Sequence, residues 1–224
     1  MLRPEVLRRP ADGVLQTHPV FQVLPDAAQA VFASDGRIVR SAAGVPCSDN
    51  RTVKLLMSGA VGVFPADADV CIGLCGPGAS HGWELGFSDG TREVLIPIFD
   101  TTWIEAPVTP LIAAMGSDWM EHVFAQQAIS RLRRLQGEAV CNALHRVPQR
   151  TARWLLTLQQ ASGGKSAFPI TQAMLGRLLG VQRTTINAAT RSMERSGLLR
   201  FGRGRVTITD PDGLRHLACD CARG

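Results

Sequence analysis

Arg183, Thr184, Thr185, Asn187, Ala188 and Arg191 crowd one short stretch of this 224-residue chain, and Arg200, Arg203 and Arg205 follow soon after. Guanidinium groups and short polar side chains at this density suit an anionic polymer. Arginines contact phosphate oxygens, which position a partner without specifying its sequence. A second group, Cys71-x3-Cys75 with His81, offers donors of the kind that hold zinc, haem iron or an iron–sulfur cluster. A third, Ser162–Ser166, contains Gly-Gly-Lys-Ser but lacks the first glycine of a phosphate-binding loop at the required spacing. There is no H-E-x-x-H run and no nucleophile–base constellation, so the chain is not expected to be an enzyme.

The arginine-bearing stretch needs elements to hold it. Ile170–Met193, ITQAMLGRLLGVQRTTINAATRSM, reads as two short helices joined by one glycine. Thr171 can cap the first, its side-chain oxygen accepting an orphan N–H. Leu175, Leu178 and Leu179 recur at helical spacing as one apolar stripe. Gly180 breaks the pattern, as glycine enters the left-handed backbone of a tight turn without strain. The second helix starts from Gln182, with Ile186 and Ala189 inward and Arg183, Thr184, Asn187, Ala188 and Arg191 on other faces. Gly176 stands where a larger side chain would hold the helices apart. This is the spacing of a DNA-binding helix-turn-helix. Arg200–Arg205 followed by the alternating Val206-Thr207-Ile208-Thr209 predicts a basic hairpin beside it, which makes a winged helix.

The net charge of +5 is divided unevenly. Residues 148–224 hold 12 Lys and Arg against 4 Asp and Glu, a surplus of 8, while residues 1–147 hold 12 against 15. The basic end is the one with the helix-turn-helix, as an electrostatic footprint for phosphate requires. An apolar fraction of 45% fits a globular chain able to bury a core. No run of about 18 apolar residues predicts a membrane span, and the opening MLRPEVLRRP lacks the apolar stretch of a secretory signal. A cytoplasmic protein without a membrane partner is therefore expected, and its six cysteines (47, 71, 75, 141, 219 and 221) should be reduced thiols.

In chain order, residues 1–13 look loosely ordered and Val14–Phe32 predicts two short helices, divided near Pro19 and Pro25. Short β-prone runs follow at Arg37–Arg40, Val53–Met57, Ala60–Phe64, Val70–Leu74, Glu93–Phe99 and Thr102–Ala106, with turns at Ser58-Gly59, Gly76-Pro77-Gly78 and Ser88-Asp89-Gly90. Many short strands argue an antiparallel barrel or sandwich. On one strand, Cys71 and Cys75 would stand roughly 13 Å apart at 3.3 Å per residue, too far for one metal unless the strand ends or bends before Cys75, so buried inert thiols are the expectation. Cys219-x-Cys221 reads as incidental. Thr109–Arg134 predicts a helix of about 37 Å at 1.5 Å per residue, with Met120, Phe124, Ala128, Leu132 and Leu135 as a stripe for a partner helix. Gly137 is expected to interrupt it, leaving Glu138–His145 as a separate short helix. Arg146-Val147-Pro148 is the predicted boundary before the last domain.

Barrel, long helix and winged helix in this order resemble the Crp/Fnr family of bacterial transcription regulators. The resemblance is specific in "HRVPQRTARWLL" and "ITQAMLGRLLGVQRTTINAATRSMERSGLLRFGRGRVTI", and topological in "LLMSGAVGVF" and "GPGASHGWELG". It implies an α+β fold: a jelly-roll, cyclic-nucleotide-binding-like β-barrel over 1–108, a dimerisation helix and hinge over 109–146, and a winged helix-turn-helix over 147–224. It also implies a homodimer on a palindromic site in double-stranded DNA, with RNA polymerase as a further partner. Arg183 falls where the family often places a base-reading arginine, which can bond G O6 and N7 together. Thr184 and Ala188 stand where well-known members carry Glu and Arg, so a different operator is expected. Asn187 could address adenine. Thr171, Gln172, Thr185 and Arg203 are phosphate candidates.

Members that bind cyclic nucleotides use a Gly-Glu pair for the ribose and an Arg-Ser pair for the phosphate. Here Gly82 is followed by Trp83, with Glu84 one position late, and Arg92 is followed by Glu93. Gln136 is the polar residue of the long helix near where a purine would lie. Glu84, Arg92 and Gln136 are thus the effector candidates of a barrel that is not expected to take a cyclic nucleotide in the usual way. The sequence specifies no cofactor and assigns no metal. The alternative is a metal- or haem-dependent sensor or enzyme built on Cys71, Cys75 and His81.

Overall fold

The computed structural model describes residues 5–7, 12–47, 51–86 and 93–222. The chain forms two compact units, Met1–Ala66 with Leu74–Arg131, and Asp67–Gly73 with Leu132–Gly224. No helix among the described residues is long and apolar enough to cross a membrane.

The first unit opens with β1 (Glu5–Leu7) and three short helices, α1 (Asp12–Leu15), α2 (Pro19–Gln22) and α3 (Asp26–Asp35). Three helices stand where the sequence predicts two. Each proline starts a new one, Pro19 as the first residue of α2 and Pro25 as the N-cap of α3, because its fixed φ suits a helix start and it has no N–H to leave unpaired. The strands are β2 (Arg37–Ser41), β3 (Thr52–Ser58), β4 (Val61–Pro65), β5 (Gly73–Cys75), β6 (Ser80–His81), β7 (Glu93–Pro97) and β8 (Thr101–Pro107). They form two sheets, in the orders β1-β2-β8-β3-β6 and β5-β4-β7. Every registered pair is antiparallel, as the many short β-prone runs imply. Two of these runs differ in extent. Val70–Ile72 lies outside any strand, its Cys71 N–H going to the carbonyl of Arg177 at 3.1 Å and not to a sheet neighbour. β7 stops at Pro97, and the Ile98 N–H turns to the carbonyl of Ala60 at 2.7 Å. The turn expected at Ser88-Asp89-Gly90 lies outside the described residues.

Side chains alternate along a strand, so β3 serves two interiors. Val53 and Leu55 join Phe21, Phe32, Trp83, Ile104 and Leu111 in one buried cluster under the helices. Phe21 meets Phe32 edge-on, with centroids 6.1 Å apart. Lys54 points the other way, is 1% exposed, and pairs with Glu105, its register partner on β8, at 2.9 Å. The Trp83 indole donates to Ser80 at 2.8 Å, so a fully buried ring keeps its polar edge satisfied.

After β8 come α4 (Val108–Met115) and α5 (Ser117–Leu144), separated at Gly116, whose φ is 74°. The 28 residues of α5 span about 42 Å at 1.5 Å per residue. The expected break at Gly137 does not occur, and Glu138–His145 is not a separate helix. A glycine inside a helix costs only about 1 kcal/mol against alanine, which the flanking helix formers absorb. Phe124, Ala128 and Leu132 are exposed on α5.

The second unit adds α6 (Val147–Ala161), β9 (Ala167–Pro169), α7 (Gln172–Leu179), α8 (Arg183–Arg195), β10 (Leu199–Gly202), β11 (Arg205–Ile208) and α9 (Pro211–Leu217), then a 3-10 turn at Asp220–Ala222. Pro148 lies in the first turn of α6. The predicted hairpin is β10 with β11, and β9 extends it to a third antiparallel strand.

Candidate nucleic-acid interface

The helix pair is built as its sequence requires. Thr171 Oγ1 accepts the N–H of Met174 at 3.0 Å, capping α7. Gly180 takes the left-handed conformation, φ 64° and ψ 37°, where a β-carbon would be strained. Leu175, Leu178, Leu179, Ile186, Ala189 and Met193 are buried. Arg150, on α6, reaches the carbonyl of Leu179 at 2.5 Å, a charge-assisted bond on one of the orphan acceptors at the helix end. Gln172 Nε2 donates to Thr190 Oγ1 at 3.1 Å, and that hydroxyl bonds the carbonyl of Ile186 at 2.9 Å. Gln172 therefore ties α7 to α8, and its amide is engaged inside the unit.

With this face buried, α8 presents the opposite one. Arg183, Thr184, Thr185, Ala188 and Arg191 are exposed and Asn187 is half-buried. The first turn of α8 carries no acidic residue, so Arg183 adds its charge to the positive end of the helix dipole, where anions are favoured. The carboxylate of α8, Glu194, is used elsewhere: it accepts the N–H of Phe201 at 2.7 Å and fixes the hairpin to the end of the helix. Gly202 and Arg205 close that hairpin through Arg203 and Gly204, whose φ values are 48° and 73°. Two positive φ values make the primed turn that matches strand twist, and the Arg203 side chain is exposed at its tip. Thr171, Gln172, Arg183 and Arg203 line one groove between the hairpin and the helix pair, so four of the eight residues predicted for this surface are brought together there. Thr184, Thr185, Asn187 and Ala188 continue along α8.

The effector candidates are placed differently. Glu84, in a 3-10 turn over Trp83–Gly86, brings a carboxylate oxygen to 3.4 Å from His81 Nε2. Glu93 is largely buried, pairs with Arg131 of α5 and approaches His81 at 4.0 Å. Two carboxylates thus converge on one imidazole, an arrangement suited to a cation and opposed to a phosphate. Gln136 is exposed on α5 in the second unit, and Arg92 lies outside the described residues.

The cysteines also depart from expectation. Cys71 and Cys75 do not share a strand, since Cys71 precedes β5; its thiol donates to the carbonyl of Gly73 at 3.0 Å. Among the described residues neither belongs to a group of three or more metal-ligating donors. Cys47 is buried, and burial pushes its thiol up to about 11. The pair read as incidental is not isolated: Cys219 and Cys221 meet Cys141 and His145 of the α5 end, all four donor atoms within 4.8 Å of one another. The i, i+4 spacing of Cys141 and His145 is the local signal of this cluster. The other half lies 76 and 78 residues away, a pairing that only the folded chain reveals.

Residues 149–217 match the Crp-like helix-turn-helix domain. The fold is that of solved Crp/Fnr regulators. A chain of the crp/fnr family of transcriptional regulators from Eubacterium rectale shares 17% identity, with a TM-score of 0.74 over 90% of this chain and 98% of that one. A CRP-family transcriptional regulator from Thermus thermophilus shares 19%, with a TM-score of 0.67 over 80% and 95%. FixK2 from Bradyrhizobium japonicum shares 17%, with a TM-score of 0.65 over 82% and 98%. A sequence comparison with curated proteins finds no match.

Proposed function

From the premise that this is a Crp/Fnr-type chain, in its fold and in its helix-turn-helix domain, we propose that it is a sequence-specific transcription regulator that binds a two-fold symmetric DNA site as a homodimer in the cytoplasm. The observation that carries this reading is the exposed, carboxylate-free start of α8 beside an arginine-tipped hairpin. Arg183 reads guanine, Thr184, Asn187 and Ala188 contact neighbouring base edges, and Thr171, Thr185 and Arg203 hold phosphates. Gln172 contributes by fixing α7 against α8. Two copies joined along α5 would place their α8 helices in major grooves about one helical turn apart. RNA polymerase is the partner through which such a regulator acts. The barrel does not take a cyclic nucleotide in the usual way, a reading supported by the two carboxylates, Glu84 and Glu93, that approach His81 and would repel a phosphate beside them.

Selection of binding sites from random duplexes, followed by titration of the selected site, tests the proposal. A palindrome should emerge. Arg183→Ala should lose about 1–3 kcal/mol of discrimination at one guanine per half-site. Arg203→Ala should weaken all sequences alike and lower the salt slope by about two, one for each half-site. Failure to enrich any site, or Arg183→Ala binding the selected site as wild type does, overturns the assignment.

A further inference from the structure

We propose that Cys141, His145, Cys219 and Cys221 form a tetrahedral Cys3His zinc site that fastens the segment after α9 to the C-terminal end of α5. The site lies wholly within the second unit and does not depend on DNA binding or on the barrel.

The donor geometry is the first argument. A zinc ion with bonds of about 2.3 Å to sulfur and about 2.0–2.1 Å to nitrogen holds tetrahedral ligand atoms about 3.5–3.8 Å apart. Cys141 Sγ and Cys219 Sγ are 3.5 Å apart, and Cys221 Sγ and His145 Nδ1 are 3.4 Å apart. All four atoms lie within 4.8 Å of one another, so an ion at their centre requires shifts of a few tenths of an ångström to about one. The local backbone explains the convergence. The His145 N–H bonds the Cys141 carbonyl at 3.1 Å, carrying the helical bonding one residue past α5, so the two side chains stack on one face. Cys219 follows α9, and the 3-10 turn at Asp220–Ala222 curls the chain so that Cys221 comes to the same point.

The chemistry of the set is the second argument. Cys141 and Cys219 are buried, Cys221 and His145 half-buried. A four-donor set closed in this way, with no position left for substrate, is the form of a structural zinc site. Binding would release three thiol protons to solvent, and three thiolates with one divalent ion leave a net charge of −1. Arg153 of α6 stands near Cys141, and a bidentate pair with Glu138, at 2.9 and 2.6 Å, holds its guanidinium in place. A disulfide between Cys141 and Cys219 would use two of the four donors and leave the approach of Cys221 to His145 without a purpose.

The test uses the full chain, purified under reducing conditions without chelator. Elemental analysis and native mass spectrometry should find one zinc per chain. After removal of the zinc, cobalt(II) added alone should give the intense visible bands of a tetrahedral centre and a near-ultraviolet thiolate charge-transfer band. The Cys219→Ser/Cys221→Ser variant should hold close to none of either metal, whereas Cys47→Ser and Cys71→Ser/Cys75→Ser should each keep one. Zinc should raise the melting temperature of the metal-free wild type and leave that of the Cys219→Ser/Cys221→Ser variant unchanged. A reduced wild-type chain that takes up neither zinc nor cobalt overturns the site, as does undiminished metal in the Cys219→Ser/Cys221→Ser variant. The cobalt spectrum of the wild type decides the matter even if that variant does not fold.

Discussion

Val181 donates its N–H to the carbonyl of Gly176 across 3.0 Å, and the same turn brings the Val181 carbonyl to 2.9 Å from where a β-carbon on residue 176 would stand. The close approach of α7 and the turn before α8 rests on this missing atom. Gly176→Ala gains about 1 kcal/mol of helix propensity but must push a backbone carbonyl aside, and overpacking of this kind costs about 1–3 kcal/mol. Gly137, inside α5, has nothing within 4 Å of its β-carbon position. The same substitution should therefore have opposite signs at the two sites. Urea denaturation should show Gly176→Ala destabilised and Gly137→Ala stabilised by up to about 1 kcal/mol. Destabilisation of both would mean that the space beside Gly137 is filled in the working protein.

The α5 stripe supplies a second expectation. Phe124 is 38% exposed and Leu132 56%, a large apolar surface for a lone helix to leave in water. Leu132→Glu should convert a dimer to a monomer by light scattering and reduce affinity for a palindromic site, because each half-site would then be bound separately. The fold of the single chain should be unaffected. A variant that remains dimeric would place the seam elsewhere.

What was legible in the sequence is what is local. The Thr171 cap, the Leu175–Leu179 stripe and the Gly180 turn each depend on residues within a few positions, and all appear where their spacing puts them. Gly137 misled because its breaking tendency is weak beside the cooperative continuation of a long helix. The run before Gly73 misled because β-propensity reports only a fit to a pleated surface, and the Cys71 N–H found a helix carbonyl instead. β9 is three residues long, too short for alternation to mark it. The junction of Cys141 with Cys219 was out of reach for another reason: neither thiol carries any local sign of a partner 78 residues away.

Lys54 and Glu105 test a buried charge. The Lys54 side chain is 2% exposed and that of Glu105 14%, and Thr52 Oγ1 also accepts from the ammonium at 2.5 Å. Removing one partner strands the other charge away from water, at about 3–5 kcal/mol. Glu105→Gln should lose stability on that scale. The double variant Lys54→Met/Glu105→Leu should recover most of it, since packed apolar residues often match or better a buried pair. Equal losses in the single and double variants would show that the site needs polarity and not charge balance.

His18 gives the pH dependence of the first unit. It is 2% exposed; Nε2 contacts the carbonyl of Ala79 at 3.3 Å, and Nδ1 has no hydrogen-bond partner among the described residues. Nε2 must then carry the proton, and a second proton would enter at a buried nitrogen with no acceptor. Burial accordingly holds His18 below its ordinary 6.5, against the smaller opposing effect of the Ala79 bond. Between the folded and unfolded values the unfolded chain binds more protons, so stability falls as the pH falls. The contribution is complete above about pH 6.5 and is lost below it, with a slope of no more than about 1.4 kcal/mol per pH unit for one proton. His18→Gln, whose amide can still donate to Ala79, removes the titration. Urea denaturation from about pH 7.5 to about pH 5 should show the wild type losing more stability across this window than the variant, above the range where carboxylates titrate. Parallel curves would assign the acid sensitivity to other groups.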